Sequence, residues 1–108
     1  MDVEKDVSKF FFENMPFAKM AGYRFARDMV TIFLQDSMTT SSIGIIYDDL
    51  YEKYKTSKEN IESRLRSYMT KAWQYLPAVF KHRPTNWEFI VRLAEYVQGL
   101  TFRKEAVS

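Results

Sequence analysis

Residues 43–73, IGIIYDDLYEKYKTSKENIESRLRSYMTKAW, constrain the fold of this chain more than any other stretch. Their spacing predicts a short helix, a tight polar turn and a longer helix. That is the layout of a helix-turn-helix, whose second helix can lie in the major groove of DNA. The same stretch opens a basic block. From Lys53 to Arg83 there are eight Lys/Arg against two acids, Glu59 and Glu62, a local charge of +6 in a chain of net +2. Phosphate is the natural partner for such a concentration.

The pattern around this segment is helical throughout. Gly and Pro number three each, and strand-like alternation is scarce. A first helix is expected over about 4–14, stopping before Pro16, because a residue preceding proline avoids the helical region. Phe10, Phe11 and Phe12 cannot all face one way, so at least one is partly exposed or covered by a partner. A second helix is expected over about 17–36. Phe17, Ala21, Phe25 and Met29 form its stripe, widened by Ala26, Val30 and Phe33. SMTTSSIG (37–44) reads as a polar loop, with Ser41 or Ser42 as N-cap of the third helix, about 43–54. There Ile46, Leu50 and Tyr54 share a face. Asp48 and Asp49 complement the helix dipole. They do not read as a metal or acid/base pair: adjacent helical residues point about 100° apart, and no third ligand accompanies them.

Thr56-Ser57-Lys58-Glu59 reads as a capping box, Thr56 capping and Glu59 reaching back, which starts the fourth helix at about 57. At about 100° per residue, Ile61, Leu65, Tyr68, Met69 and Ala72 form a buried stripe. The opposite arc carries Glu59, Asn60, Ser63, Arg66, Ser67 and Thr70, flanked by Arg64 and Lys71. An ordinary solvated helix face is usually richer in Glu and Lys. A groove-reading face needs short side chains for close approach, and Asn or Arg for base edges. LPAVFKH (76–82) is expected to form a brief turn that packs underneath. His82, between Lys81 and Arg83, reads as a surface residue. Thr85 and Glu88 form a second capping box after Pro84. The last helix then buries Phe89, Leu93 and Val97 (with Ile90 and Ala94) and stops at Gly99, leaving 100–108 as a loose tail.

Composition bounds the class. With 108 residues, 46% apolar and 17% aromatic, the chain can build one core without disulfides or metal. There is no cysteine and one histidine, which excludes a disulfide framework and most zinc sites. The acidic start MDVEKDVSK is no secretory signal, and no apolar run reaches membrane-spanning length. The expectation is a cytoplasmic all-α protein. It would be a compact bundle of five to six helices in a single domain over 1–108, with no cofactor. An enzyme is the class with least support, since one His and no Gly-rich phosphate loop leave little to catalyse with.

RPTNWEFI (83–90) resembles the [KR]-P-T-N-x-E-F-I run of the C-terminal effector domain of the sporulation initiation response regulator family (stage 0 sporulation protein A). GYRFARDM (22–29) is similar to the start of that domain's long second helix, and 45–73 follows the spacing of its helix-turn-helix. Thr56, Glu62, Arg66, Ala72 and Trp73 match the family's residue types, and the proline of MPFAKMAGY (15–23) parallels one there. The resemblance implies an all-helical bundle with recognition helix 57–73, binding double-stranded DNA at short boxes, often in tandem or as a homodimer. It departs from the family in three ways. No receiver domain is present, and Met1 before a first helix favours a stand-alone chain over a fragment. The stretch between Trp73 and Pro84 is shorter, which weakens the case for RNA polymerase contact. Asn60 and Ser63 stand where the family has bases, while Lys58 and Arg64 are new or shifted. On this reading Lys55, Lys58, Arg64 and Lys71 hold phosphates, and Asn60, Ser63, Arg66 and Ser67 face bases in a transcriptional regulator. The alternative is a protein-interaction or dimerisation module that kept the fold and lost specific DNA binding.

Overall fold

The computed structural model describes residues 2–36 and 43–107, with side chains described for 2–36 and 44–100. Among these residues there are five α-helices and no strand, in accord with the all-α expectation. They are α1 Val3–Asn14, α2 Ala21–Gln35, α3 Ile43–Tyr54, α4 Lys58–Ala72 and α5 Asn86–Val107, with a 3-10 turn at Trp73–Tyr75. The loop 37–42, and with it the N-cap expected at Ser41 or Ser42, lies outside the described residues.

Asp2 starts α1, its carboxylate accepting the Lys5 N–H at 3.1 Å, and Glu4 and Asp6 meet the positive end of the dipole. Phe10 and Phe11 turn inward, while Phe12 is 86% exposed. Helix α2 then starts later than its stripe suggests, at Ala21 rather than Phe17. Pro16 holds Met15 extended at φ −96°, ψ 134°. Phe17 sits at φ 60°, outside the right-handed helical region. Residues 17–20 close as a turn, the Met20 N–H donating to the Phe17 carbonyl at 3.0 Å. The Pro16 carbonyl is left outside any helix and accepts the Tyr68 hydroxyl at 2.8 Å, tying this turn to α4.

Helix α2 is the axis of the bundle. It touches each of the other four helices, α4 most extensively, and buries Phe25, Met29, Val30 and Phe33. Gly22 sets the α2–α4 approach. A Cβ built there would lie 2.3 Å from the Tyr68 Cβ and 2.4 Å from the Arg64 carbonyl oxygen. The residue is a glycine because another backbone occupies the space a side chain would need. Tyr68, fully buried at this crossing, meets Tyr23 and Phe89 edge-on.

Beyond α4 the chain turns at Leu76, whose carbonyl accepts the Val79 and Phe80 N–H groups at 2.9 and 3.0 Å. Phe80 is thereby buried and stacks on Phe89 at 5.3 Å. Helix α5 opens with the capping box read from the sequence. The Glu88 carboxylate accepts the Thr85 N–H at 3.0 Å, and the Thr85 hydroxyl accepts the Glu88 N–H at 3.2 Å. Those bonds hold the Glu88 carboxyl below its ordinary range. The stop at Gly99 is corrected: α5 continues to Val107. Gly99 does not take the left-handed conformation that ends helices, and no proline follows it. Among the described residues no helix is long and apolar enough to cross a membrane.

Two measurements test this packing. Gly22→Ala should destabilise the protein by about 3 kcal/mol or more, because the added methyl meets backbone rather than a movable side chain; an unchanged thermal midpoint would contradict the close approach. Alkaline melts test the buried phenols. Burial raises the Tyr23, Tyr47, Tyr54 and Tyr68 hydroxyls above their ordinary 10.0, and the bond to Asp28 raises Lys53. Groups with folded pKa above unfolded contribute stability below the unfolded value and lose it as pH climbs past it. The thermal midpoint should therefore hold to about pH 9 and fall steadily above about pH 10.

Candidate nucleic-acid interface

The helix-turn-helix is assembled by polar contacts at its turn. Helix α3 ends at Tyr54, and Lys55 takes φ 54°, its N–H bonding back to the Tyr51 carbonyl at 2.8 Å. On one side of this residue the buried Asp28 of α2 accepts hydrogen bonds from the Lys53 ammonium (2.9 Å), the Tyr54 hydroxyl and the Arg27 Nε (3.3 Å). On the other side α4 begins, one residue later than the sequence suggests. Ser57, not Thr56, is the N-cap: its backbone is extended, and its hydroxyl accepts the Asn60 N–H at 3.0 Å. The Thr56 hydroxyl instead accepts the Asn60 Nδ2 at 2.8 Å. The helical phase is unaffected, and Ile61, Leu65, Tyr68, Met69 and Ala72 are the buried stripe, as expected.

Outward from that stripe, Ser63, Ser67 and Thr70 are exposed small polar residues, with Arg64, Arg66 and Lys71 exposed around them. The charges are not equivalent. Lys58 pairs with Asp48 at 2.6 Å, Arg66 with Glu62 at 2.5 Å, and Lys55 more loosely with Glu52 at 3.6 Å. Asp48 raises the Lys58 pKa above its ordinary value. Lys53 is held by Asp28. Among the described residues Arg64 meets only a neutral group, its Nε donating to Asn60 Oδ1 at 3.4 Å. Among the described residues, Lys71 has no hydrogen-bond or ion-pair partner. Arg64 and Lys71 lie two turns apart on one flank of α4, within about 20° of arc. That flank is the positive one, and the opposite flank is largely neutralised. Asn60 spends both ends of its amide on Thr56 and Arg64, so the structure seats it in the cap at the rim of the outward face.

Arg83 is a residue the sequence did not single out. The turn before α5 returns to α4, and the Arg83 guanidinium donates to the Thr70 hydroxyl at 3.0 Å, on the outward face. With Arg66 it borders a groove of about 450 Å³ whose other walls include Tyr47, Glu62, Asn86 and Trp87. Asn86 Nδ2 donates to the Glu62 carbonyl (3.3 Å) and the Tyr47 hydroxyl (3.5 Å), fastening the start of α5 to both α3 and α4. The sequence placed Arg83 at the end of the basic block and just before a capping box, but its contact with a residue 13 positions earlier depends on the tertiary turn. Among the described residues no group of three His, Asp or Glu converges as a metal site.

The family model described as "Sporulation initiation factor Spo0A C terminal" matches residues 12–97, and the chain belongs to that family, a family of DNA-binding domains rather than enzymes. The match runs from the end of α1 into α5, as far as residue 97, and contains the whole of α3, the turn and α4.

The corrected cap separates two neighbouring hydroxyls. Ser57→Ala should lower stability by about 1 kcal/mol, since it orphans the Asn60 N–H. Thr56→Val should cost clearly less in the same urea titration, because its hydroxyl serves one side-chain amide. The reverse order would restore Thr56 as the cap.

Proposed function

We propose that this member of the Spo0A C-terminal family is a sequence-specific binder of double-stranded DNA that regulates transcription, with α4 as the helix that enters the major groove. The observation that carries the reading is the outward face of α4. It combines three short hydroxyl side chains (Ser63, Ser67, Thr70) with a flank of unneutralised charge (Arg64, Lys71) and a third base, Arg83, delivered from outside the helix. Short side chains let the helix axis approach base edges, and free cations at the rim engage phosphates. In this arrangement Ser63, Ser67 and Arg66 face bases. Arg64, Lys71, Lys55 and Lys58 face the backbone, and Asn60 fixes the first turn of α4 at the rim.

One observation favours the second reading, an interaction module that has lost specific DNA binding. Four bases of the block, Lys53, Lys55, Lys58 and Arg66, already carry carboxylate partners. Three of those pairs are solvent-exposed, however, and exposed pairs are worth only about 0–1 kcal/mol, so phosphate can displace the carboxylate.

Fluorescence anisotropy with a random-sequence duplex at two salt concentrations decides between them. The DNA reading expects roughly micromolar binding that weakens steeply with salt. Arg64→Ala and Lys71→Ala should each weaken all sequences alike and reduce the salt slope by about 1. After selection from random DNA, Arg66→Ala should cost about 1–3 kcal/mol at a single base position. Wild-type protein that shows no salt-sensitive binding would leave the interaction module standing.

A further inference from the structure

A lysine occupies the left-handed position of the helix-turn-helix. Lys55, at φ 54°, is one of two described non-glycine residues with positive φ. In that region the Cβ crowds the following carbonyl, a cost glycine avoids. The conformation persists because both neighbours are fixed. Upstream, Lys53 and Tyr54 are bound to the buried carboxylate of Asp28, on a different helix. Downstream, Thr56 and Ser57 are bound to the first turn of α4 through Asn60. Between these two anchors the backbone must reverse within one residue, and Lys55 absorbs the reversal.

The side chain that this strained position presents is 78% exposed, and its contact with Glu52 is long, at 3.6 Å. Lys53, two residues earlier, is drawn down to Asp28 instead. The turn thus keeps one lysine for the fold and holds the other out at the N-terminal end of α4. Strain retained at an exposed residue points to a use for its side chain.

We propose that Asp28 is the positioning residue of this turn: by holding Lys53 and Tyr54 it fixes Lys55 in the left-handed conformation, and from there the Lys55 ammonium takes a phosphate of duplex DNA at the start of α4. The phosphate role rests on the DNA-binding reading above; the mechanical link between Asp28 and Lys55 does not.

The test measures stability and affinity on the same variants of the full chain. Lys55→Gly relieves the strain and removes the charge. It should raise the thermal midpoint by about 3–6 °C. It should also weaken binding to a random-sequence duplex about threefold to tenfold, with a salt slope smaller by about 1. Lys55→Ala should weaken binding equally without the rise in midpoint, since alanine keeps the strain. Asp28→Asn then tests the positioning role. Once the turn can relax, Lys55→Gly should no longer raise the midpoint in that background. A purely structural Asp28 would leave the two effects additive. If Asp28→Asn does not fold, Tyr54→Phe loosens the same clamp and enters the same comparison. The proposal is overturned if Lys55→Gly keeps wild-type affinity and salt slope while the wild-type protein binds in a salt-sensitive manner, and the DNA reading survives that result. Additive midpoints overturn the role of Asp28 alone. A wild-type protein that binds no duplex overturns the phosphate role together with the DNA reading.

Discussion

The α2–α4 crossing at Gly22 is the contact on which the rest of the molecule depends. At that point no side chain fits between the helices, and the Tyr68 Cβ and Arg64 carbonyl fill the volume a methyl would take. The approach fixes the depth and rotation of α4 together. Tyr68 is driven into the core, where its hydroxyl reaches the Pro16 carbonyl and its ring meets Tyr23 and Phe89. With Tyr68 inward, the helical repeat places Ser63, Ser67 and Thr70 outward. The face presented to a partner is therefore set from behind, by a glycine on another helix.

A second constraint is electrostatic. Along the chain the basic block looks like a run of +6, but three of its carboxylate partners, Asp28, Asp48 and Glu52, come from the acidic part of the sequence before residue 53. Folding brings that acidic segment against the basic one and cancels charge along one side of the turn. What survives is directional: Arg64 and Lys71 on one flank of α4, and Arg83 above Thr70. Net charge over a sequence window could not distinguish a neutral flank from a positive one.

Legibility followed the range of the interaction. The inward stripe of α4 and the Thr85–Glu88 box depend on neighbours within a turn, and both were readable. The polar loop at 37–42 falls outside the described residues. The start of α2 was misplaced because Phe17 continues the apolar stripe in register while the Pro16 carbonyl is claimed by Tyr68, 52 residues away. Thr56 and Ser57 are both acceptable caps locally, and the choice between them was settled by Asn60, whose backbone N–H takes one hydroxyl and whose side chain takes the other. Gly99 looked like a terminator, but glycine ends a helix only where the left-handed conformation is adopted, and here it is not. The contacts of Asp28 and Arg83 were not readable for one shared reason: each meets an element far from it in sequence.

The exposed ion pairs beside α4 bear directly on what kind of DNA binder this fold makes. A free cationic surface binds any duplex, because the phosphate charge is the same for every sequence. Where Arg66 is already engaged by Glu62 and Lys58 by Asp48, a phosphate or base gains only the difference between two interactions. That lowers affinity for all DNA, while leaving intact the penalty for a wrong base edge, which comes from unpaired polar groups rather than net charge. The pairs also restrict the Arg66 and Lys58 side chains before any ligand arrives, Arg66 along its own helix and Lys58 toward α3. On the proposed reading the two flanks of one helix divide the labour: Arg64 and Lys71 attract the backbone, and Arg66 discriminates by having to be released from Glu62.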